Sequence, residues 1–255
     1  MILFFLFIFG LIIGSFLNAV IYRLKSGENI VSERSKCPHC RHLLAVKDLV
    51  PVLSFIFLRA KCRYCHKKIS WQYPLVELAT ALIFILGYLK YQNEFPVLNF
   101  QFLVFLVFSC FLIIIFVYDL KHYLIVDKVS LPAFFIALLI NLLLGHPLFN
   151  LLLASILVAG FFFFQLVLSK GKWIGGGDVR LGLVMGAMLG WPQALIALFL
   201  AYISGSIIGL VLIMAKKKEW HSQIPFGTFL SAATLITLLF GQQILEWYSR
   251  SFLYG

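Results

Sequence analysis

Ten residues in this 255-residue chain are acidic, and two of them, Asp119 and Asp178, stand where apolar spans meet basic loops. A carboxylate at membrane depth costs roughly 3 kcal/mol or more, so such a residue points to a functional site. Two carboxylates at one face of a membrane can share a proton and activate a water molecule, one ionised as general base and the other protonated. Asp178 closes a run of three glycines, Gly175, Gly176 and Gly177, and precedes Val179 and Arg180. The glycines are expected to adopt backbone conformations closed to other residues and to let a substrate backbone approach. A helix starting near Asp178 would also present free amides there. Three consecutive glycines match neither nucleotide-binding fingerprint. Lys121 and Arg180 lie close enough in sequence to stabilise a carboxylate if their side chains turn inward.

A second constellation is Cys37-Pro38-His39-Cys40 and, 21 residues later, Cys62-Arg63-Tyr64-Cys65. Paired Cys-x-x-Cys knuckles at such a separation close a tetrahedral thiolate site for zinc, with two disulfides as the competing reading. The surrounding loop reads as cytoplasmic, where thiols stay reduced, which favours metal. Four protein ligands leave no open position, so the role is structural. Zinc would then supply much of the folding energy of a segment too short for its own core. His39, His42 and His66 are spare ligands by position, and Cys110 reads as an ordinary buried thiol.

The elements that must carry these groups are membrane helices. Hydrophobic residues make up 62% of the chain and charged residues 12%, against about 25% charged in a soluble domain. Apolar stretches long enough to cross a bilayer recur near 3–22, 74–89, 97–118, 129–144, 148–168, 181–192, 193–214 and 226–247. The expected architecture is an all-α polytopic membrane protein of about eight transmembrane helices. Its expected organisation is a first helix over 1–22, a small cytoplasmic zinc-binding loop over 23–73 and a membrane core over 74–255. The stretch 181–192 is short for a crossing and could merge with its successor. Gly182, Gly186 and Gly190 put a smooth stripe on one helix face, as do Ala201, Gly205 and Gly209, which lets helices pack closely.

The net charge of +11 is mostly topology. Of the 21 Lys and Arg residues, 19 fall in alternate loops on one side, including Lys216, Lys217 and Lys218, while Lys90 and Arg250 lie on the other. That asymmetry places the basic loops in the cytoplasm and argues against nucleic acid as the partner, with anionic lipid a secondary attraction. The first span carries no positive residue before it and no small-residue cleavage site, so it reads as an uncleaved helix with its N-terminus outside. Asp127, eight residues after Asp119, reads as a helix cap or a supporting residue of the site. Glu77 lies near the cytoplasmic end of the second span, as the partner of a basic residue or as part of another site. Glu28, Glu33, Asp48, Glu94, Glu219 and Glu246 read as loop or interface charges.

Taken along the chain, these motifs resemble the type IV leader peptidases, the bacterial prepilin peptidases. The resemblance runs from Gly14-Ser15-Phe16-Leu17-Asn18 through both cysteine knuckles and Tyr73-Pro74-Leu75-Val76-Glu77. It continues through Asp119-Leu120 with Ile125-Val126-Asp127, then Gly175 to Leu181, and ends at Ile224-Pro225-Phe226-Gly227. It implies an aspartyl endopeptidase that cuts the leader of prepilins and pseudopilins after a glycine at the cytoplasmic face. It implies Asp119 and Asp178 as the catalytic pair. The cysteine loop implies, in addition, N-methylation of the new terminus with S-adenosylmethionine as donor; the donor site is expected beside that loop, with Glu77 a candidate. Val126 replaces a usual proline and Arg180 a usual lysine, and neither change removes a catalytic group. Presenilin-like proteases share the glycine–aspartate motif but lack the cysteine loop. A transporter would place its carboxylates near the midplane, and a zinc-bearing assembly factor would tolerate Asn at both aspartates.

Overall fold

The structure, a computed structural model, describes residues 1–30, 32–92, 100–216 and 223–252. Glu94, Glu219, Lys217, Lys218 and the start of the span expected at 97 lie outside the described residues. Among the described residues there is no β-strand longer than an isolated bridge. The helices are α1 (Ile2–Ser26), α2 (Leu53–Phe57), α3 (Gln72–Tyr91), α4 (Phe100–His122), α5 (Asp127–Leu143), α6 (Leu148–Leu168), α7 (Gly176–Leu189), α8 (Gln193–Met214) and α9 (Phe226–Phe252), with a 3-10 turn at Val46–Asp48. Each of the eight apolar stretches in the sequence corresponds to one helix.

Among the described residues six helices, α1, α3, α4, α6, α8 and α9, are long and apolar enough to cross a membrane. The remaining two, α5 and α7, are shorter. Helix α5 has 17 residues. Helix α7 has 14, about 21 Å at 1.5 Å per residue, against a hydrocarbon core of about 30 Å. Nor does α7 merge with α8. Gly190, at φ 66, turns the chain out of the helix, and Asn150 of α6 holds the corner by bonding both the amide and the carbonyl of Trp191.

The chain forms two compact units, Met1–Leu106 and Val107–Gly255. In the first, α1 packs along α3 through glycine. A Cβ on Gly10 would stand 2.5 Å from Cα of Ala81, and one on Gly14 would stand 2.6 Å from Cα of Glu77. Asn18 of α1 donates to the Tyr73 carbonyl and accepts from the Gln72 amide group, which fixes the register at the start of α3.

In the second unit α7 lies against α6. A Cβ on Gly186 would stand 2.2 Å from Cα and N of Ser155, and one on Gly182 would stand 3.1 Å from the Ala159 backbone. The expected smooth stripe is therefore an α6 contact, except that Gly190 serves the turn. On α8, Gly205 meets the rings of Phe226 and Phe229 at ordinary distances. Asn141 of α5 donates to the carbonyls of Ala187 and Met188, satisfying acceptors that a helix end leaves without partners. Gly186→Ala forces backbone apart from backbone and is expected to destabilise the protein by about 1–3 kcal/mol. Gly160→Ala, on α6 where an added Cβ meets nothing within 4 Å, is expected to be neutral or slightly stabilising. Thermal unfolding of the two variants in one detergent checks the contrast.

Candidate active site

Three helix termini meet at one end of the second unit. Asp119 lies in the last turn of α4, after which Tyr123, at φ 55, reverses the chain into the short segment before α5. Asp178 is the third residue of α7, and Thr228 is the third of α9. Both aspartates are buried, with 4% and 9% of their surface exposed.

Each carboxylate is anchored by the start of a helix. Oδ2 of Asp119 accepts a hydrogen bond from the Thr228 amide at 2.7 Å and another from the Thr228 hydroxyl at 3.1 Å. One free amide at the α9 N-terminus is thereby satisfied by a residue 109 positions earlier. Oδ2 of Asp178 reaches back to the amide of Gly175, at 3.1 Å, and so caps its own helix. Ile125 stands between the two anchors. A Cβ on Gly177 would lie 3.0 Å from the Ile125 Cβ, and one on Gly227 would lie 2.7 Å from its Cδ1 and 3.0 Å from Asp119 Oδ2. Asp119 is also near enough for its charge to act on Asp178.

The glycine run works differently from the expectation. None of Gly175, Gly176 and Gly177 has a positive φ; Gly175 is extended at φ −87 and the other two are helical. Gly177 is small because Ile125 presses on it. A Cβ at Gly176 would meet nothing within 4 Å, and one at Gly175 would only graze Asp178 at 3.9 Å. At those two positions the missing side chains leave open space beside the carboxylate, and no backbone strain is relieved.

Asp127 does not cap α5: Val126 holds the cap position, and Asp127 pairs instead with the Arg180 guanidinium of α7. Both partners are well exposed, so the pair ties α5 to α7 but adds little stability. The Arg180 guanidinium is accordingly taken by Asp127. Lys121 is exposed. Sequence reasoning missed Thr228, Ile125 and Tyr202. The Tyr202 hydroxyl bonds Gln165 of α6, its ring packs against Phe162 and Phe226, and it lies within reach of the Asp178 charge. The Pro225-Phe226-Gly227 run was a signal for Thr228, because proline and then glycine at a helix start mark a place where something comes close.

Gly227→Ala is expected to push the Asp119 carboxylate off its anchor and to lower turnover by about 10²-fold, the typical effect of a misplacement near 1 Å. Gly176→Ala, with room for its methyl, is expected to leave the fold unchanged. Single-turnover rates alongside thermal stability separate the two.

In the first unit the four cysteines come together. The sulfurs of Cys37, Cys40, Cys62 and Cys65 all lie within 4.8 Å of one another, and those of Cys37 and Cys65 are 3.9 Å apart. A tetrahedron with bonds of about 2.3 Å has edges of about 3.8 Å, so the sulfur cage fits a metal ion, and a 3.9 Å separation is far beyond a disulfide bond. The two knuckles repeat one design. The Cys37 and Cys62 amides donate to the carbonyls of His42 and Lys67, while the amides of Arg41 and His66, both at positive φ, donate back to the cysteine carbonyls. Burial opposes ionisation of Cys37, but the amides of Cys40 and His39 outweigh it and lower the thiol to about 7. At Cys65 the Lys67 amide favours the thiolate, yet burial and the three neighbouring sulfurs push it up to about 11. Four sulfurs this close could hold a metal cation between them. The histidines are not part of the group: His42 stacks on Tyr64 at 3.6 Å, and His39 and His66 are exposed.

Asp48 is more than a surface charge. It accepts from Arg63, Tyr64 and the Ala45 amide. Burial of Asp48 works against these donors, but together they hold its carboxyl below the usual range and brace the second knuckle against the 3-10 turn. Glu77, 6% exposed, has no basic partner among the bonds described. Its carboxylate accepts the Val52 amide at 2.7 Å, with Ser15 of α1 as a further partner.

Taken together, these features define a multi-pass helical membrane protein with a tetracysteine loop after its first helix and two buried aspartates at converging helix ends. The chain belongs to the type IV leader peptidase family. Residues 8–91 match the family described as Bacterial Peptidase A24 N-terminal domain, and residues 106–210 match the Type IV leader peptidase family. A protein of Aeromonas hydrophila called Prepilin leader peptidase/N-methyltransferase is 32% identical over 276 residues, which cover 97% of this chain and 93% of that relative. A Bacillus subtilis protein of the same name is 32% identical over 96% of this chain and 97% of its own length. One from Pseudomonas aeruginosa is 31% identical over 94% and 90%. No solved structure matches the chain.

Proposed function

We propose that this protein cleaves the leader peptide of prepilins or pseudopilins and then methylates the new N-terminus. The observation that carries the reading is the meeting of Asp119 and Asp178 around Ile125, each pinned through Oδ2 by a helix-start amide. Asp119 takes two donors from the start of α9, an environment that suits the ionised carboxylate, and we assign it the general base. It draws a proton from water as the oxygen attacks the scissile carbonyl. Asp178, carrying a proton, donates to the developing oxyanion. Collapse of the tetrahedral species breaks the C–N bond, the amine takes up the proton held by Asp119, and Asp178 recovers its own. The space at Gly175 and Gly176 is where the extended leader would lie. Asp127 and Arg180 support this end of the site by tying α5 to α7, and Lys121 contributes positive charge nearby.

The donor set of Cys37, Cys40, Cys62 and Cys65 suits zinc, which we assign a structural role in the loop of residues 23–73. S-adenosylmethionine supplies an electrophilic methyl group when bound. We place methylation in the N-terminal unit, with Glu77 as a candidate participant, because that unit carries the cysteine loop. The basic loops support an inner-membrane protein with its N-terminus outside and both aspartates at the cytoplasmic face.

Mass spectrometry of a reporter prepilin co-expressed with this protein tests the reading. Loss of the leader after its terminal glycine, with a methyl increment on the new terminus, is the expected result. An intact reporter beside this protein, when the Bacillus subtilis relative processes it, would overturn the proposal.

A further inference from the structure

The stretch between the two cysteine knuckles is unusually apolar for a polar loop. Val46, Ile56 and Phe57 are 83%, 61% and 80% exposed, and Leu49, Val50 and Leu53 are exposed as well. Single exposed apolar residues are ordinary, but a contiguous group this size marks a surface that something covers.

Two contacts fix the height of this stretch along α3. The Val52 amide, at the start of α2, donates to Glu77, the sixth residue of α3, which lies about 7 Å along that helix at 1.5 Å per residue. Phe55, the buried member of α2, packs on Trp71 at the foot of α3, ring centroids 4.9 Å apart. Helix α3 is one of the six that can cross a membrane. Its outward stripe begins with Trp71 and Leu75 and continues through Leu82, Leu86 and Leu89, an aromatic at the interface and leucines beyond it. The exposed side chains of α2 therefore stand at the height of the first turns of α3.

The charge beside them agrees. Arg59 and Ala60, both at positive φ, turn the chain out of α2 into the second knuckle. There Lys61 and Lys68 pair across an antiparallel bridge, next to Lys67, and all four cations Arg59, Lys61, Lys67 and Lys68 are exposed. A row of basic groups beside an apolar face is the pattern of a segment lying in the headgroup plane of an anionic leaflet.

We propose that residues 46–57 dock into the surface of an anionic bilayer, with Ile56 and Phe57 at the acyl boundary and Arg59, Lys61, Lys67 and Lys68 against lipid phosphates. The tetracysteine loop is then a membrane-surface element, its knuckles held at headgroup level instead of standing free in the cytoplasm.

The test places the photo-crosslinking residue p-benzoylphenylalanine at Phe57, and separately at Ile56, in the full chain reconstituted in vesicles of phosphatidylethanolamine and phosphatidylglycerol. Leu75, on the outward face of α3, is the reference. After illumination, a phospholipid adduct in the mass spectrum at positions 56 and 57 is the expected result, with a lower yield at 57, and an unchanged one at 75, in vesicles of phosphatidylcholine alone. Adducts at 75 without any at 56 or 57 overturn the docking. So do crosslinks from 57 to protein, either a second copy or another segment of the chain. Equal yields at 57 in both vesicles overturn the anionic selection.

Discussion

Asp119→Asn and Asp178→Asn are each expected to abolish leader cleavage, by at least about 10³-fold, while leaving a folded, membrane-inserted protein. The size follows from the shared task. One carboxyl must hold a proton and the other must take one, and an amide does neither, so removing either group removes the whole acid–base step. Fold is spared because asparagine keeps an acceptor oxygen. The substituted side chain at position 119 can still accept from the amide and hydroxyl of Thr228, and the one at position 178 can still cap α7 at Gly175, the bonds the wild type makes there. The double variant is expected to be no worse than either single one, because groups that act as a unit are lost together. Single-turnover cleavage of a purified prepilin, alongside thermal unfolding, measures both quantities. Cleavage within about tenfold of wild type by either folded variant would remove the pair from the mechanism.

The second large effect concerns the cysteine cage. Cys37→Ser or Cys62→Ser, which remove the two buried thiols, is expected to take bound metal from one ion per chain to none and to cost methylation nearly all its rate. Structural zinc sites contribute about 10–16 kcal/mol of apparent binding energy at neutral pH, most of it folding energy of the loop they close. The loop's other ties are few and mostly polar, among them the bridges Lys36–Leu43 and Lys61–Lys68, the Lys36–Glu28 pair, the Asp48 brace, the grip of Glu77 on Val52 and the packing of Phe55 on Trp71. Leader cleavage should persist, because Asp119, Asp178, Thr228 and Ile125 all belong to the other compact unit. Metal analysis of the purified variants, followed by separate mass readouts for leader loss and methyl gain, checks each part. Equal loss of both activities would show that the loop serves the peptidase too.

Much of this was legible from the chain. Long apolar runs can only be helices in a bilayer, and α6 and α8 begin and end where the runs do. The cysteine spacing pointed to the cage, since each short knuckle holds two sulfurs together and two knuckles supply the four ligands of a tetrahedral site. The partners of the aspartates were not legible. Thr228 lies 109 residues from Asp119, and nothing local in either segment records the pairing. Ile125 stood in the sequence only as part of the motif after Asp119, although its position between Gly177 and Gly227 is what presses on both glycines. Asp127 stood open between a helix cap and a support of the site; an acidic residue at a helix start often caps it, whereas here an arginine 53 positions later takes the carboxylate. The glycine run misled: glycine signals freedom of the backbone, and here its use is lack of bulk.

The bond from Thr228 to Asp119 also has a bearing on timing. A ribosome delivers Asp119 and Asp178 to the membrane well before it delivers the last helix, and until α9 is inserted Asp119 lacks the anchor it takes from Thr228. The last helix to be made thus completes the surroundings of a residue at the end of α4.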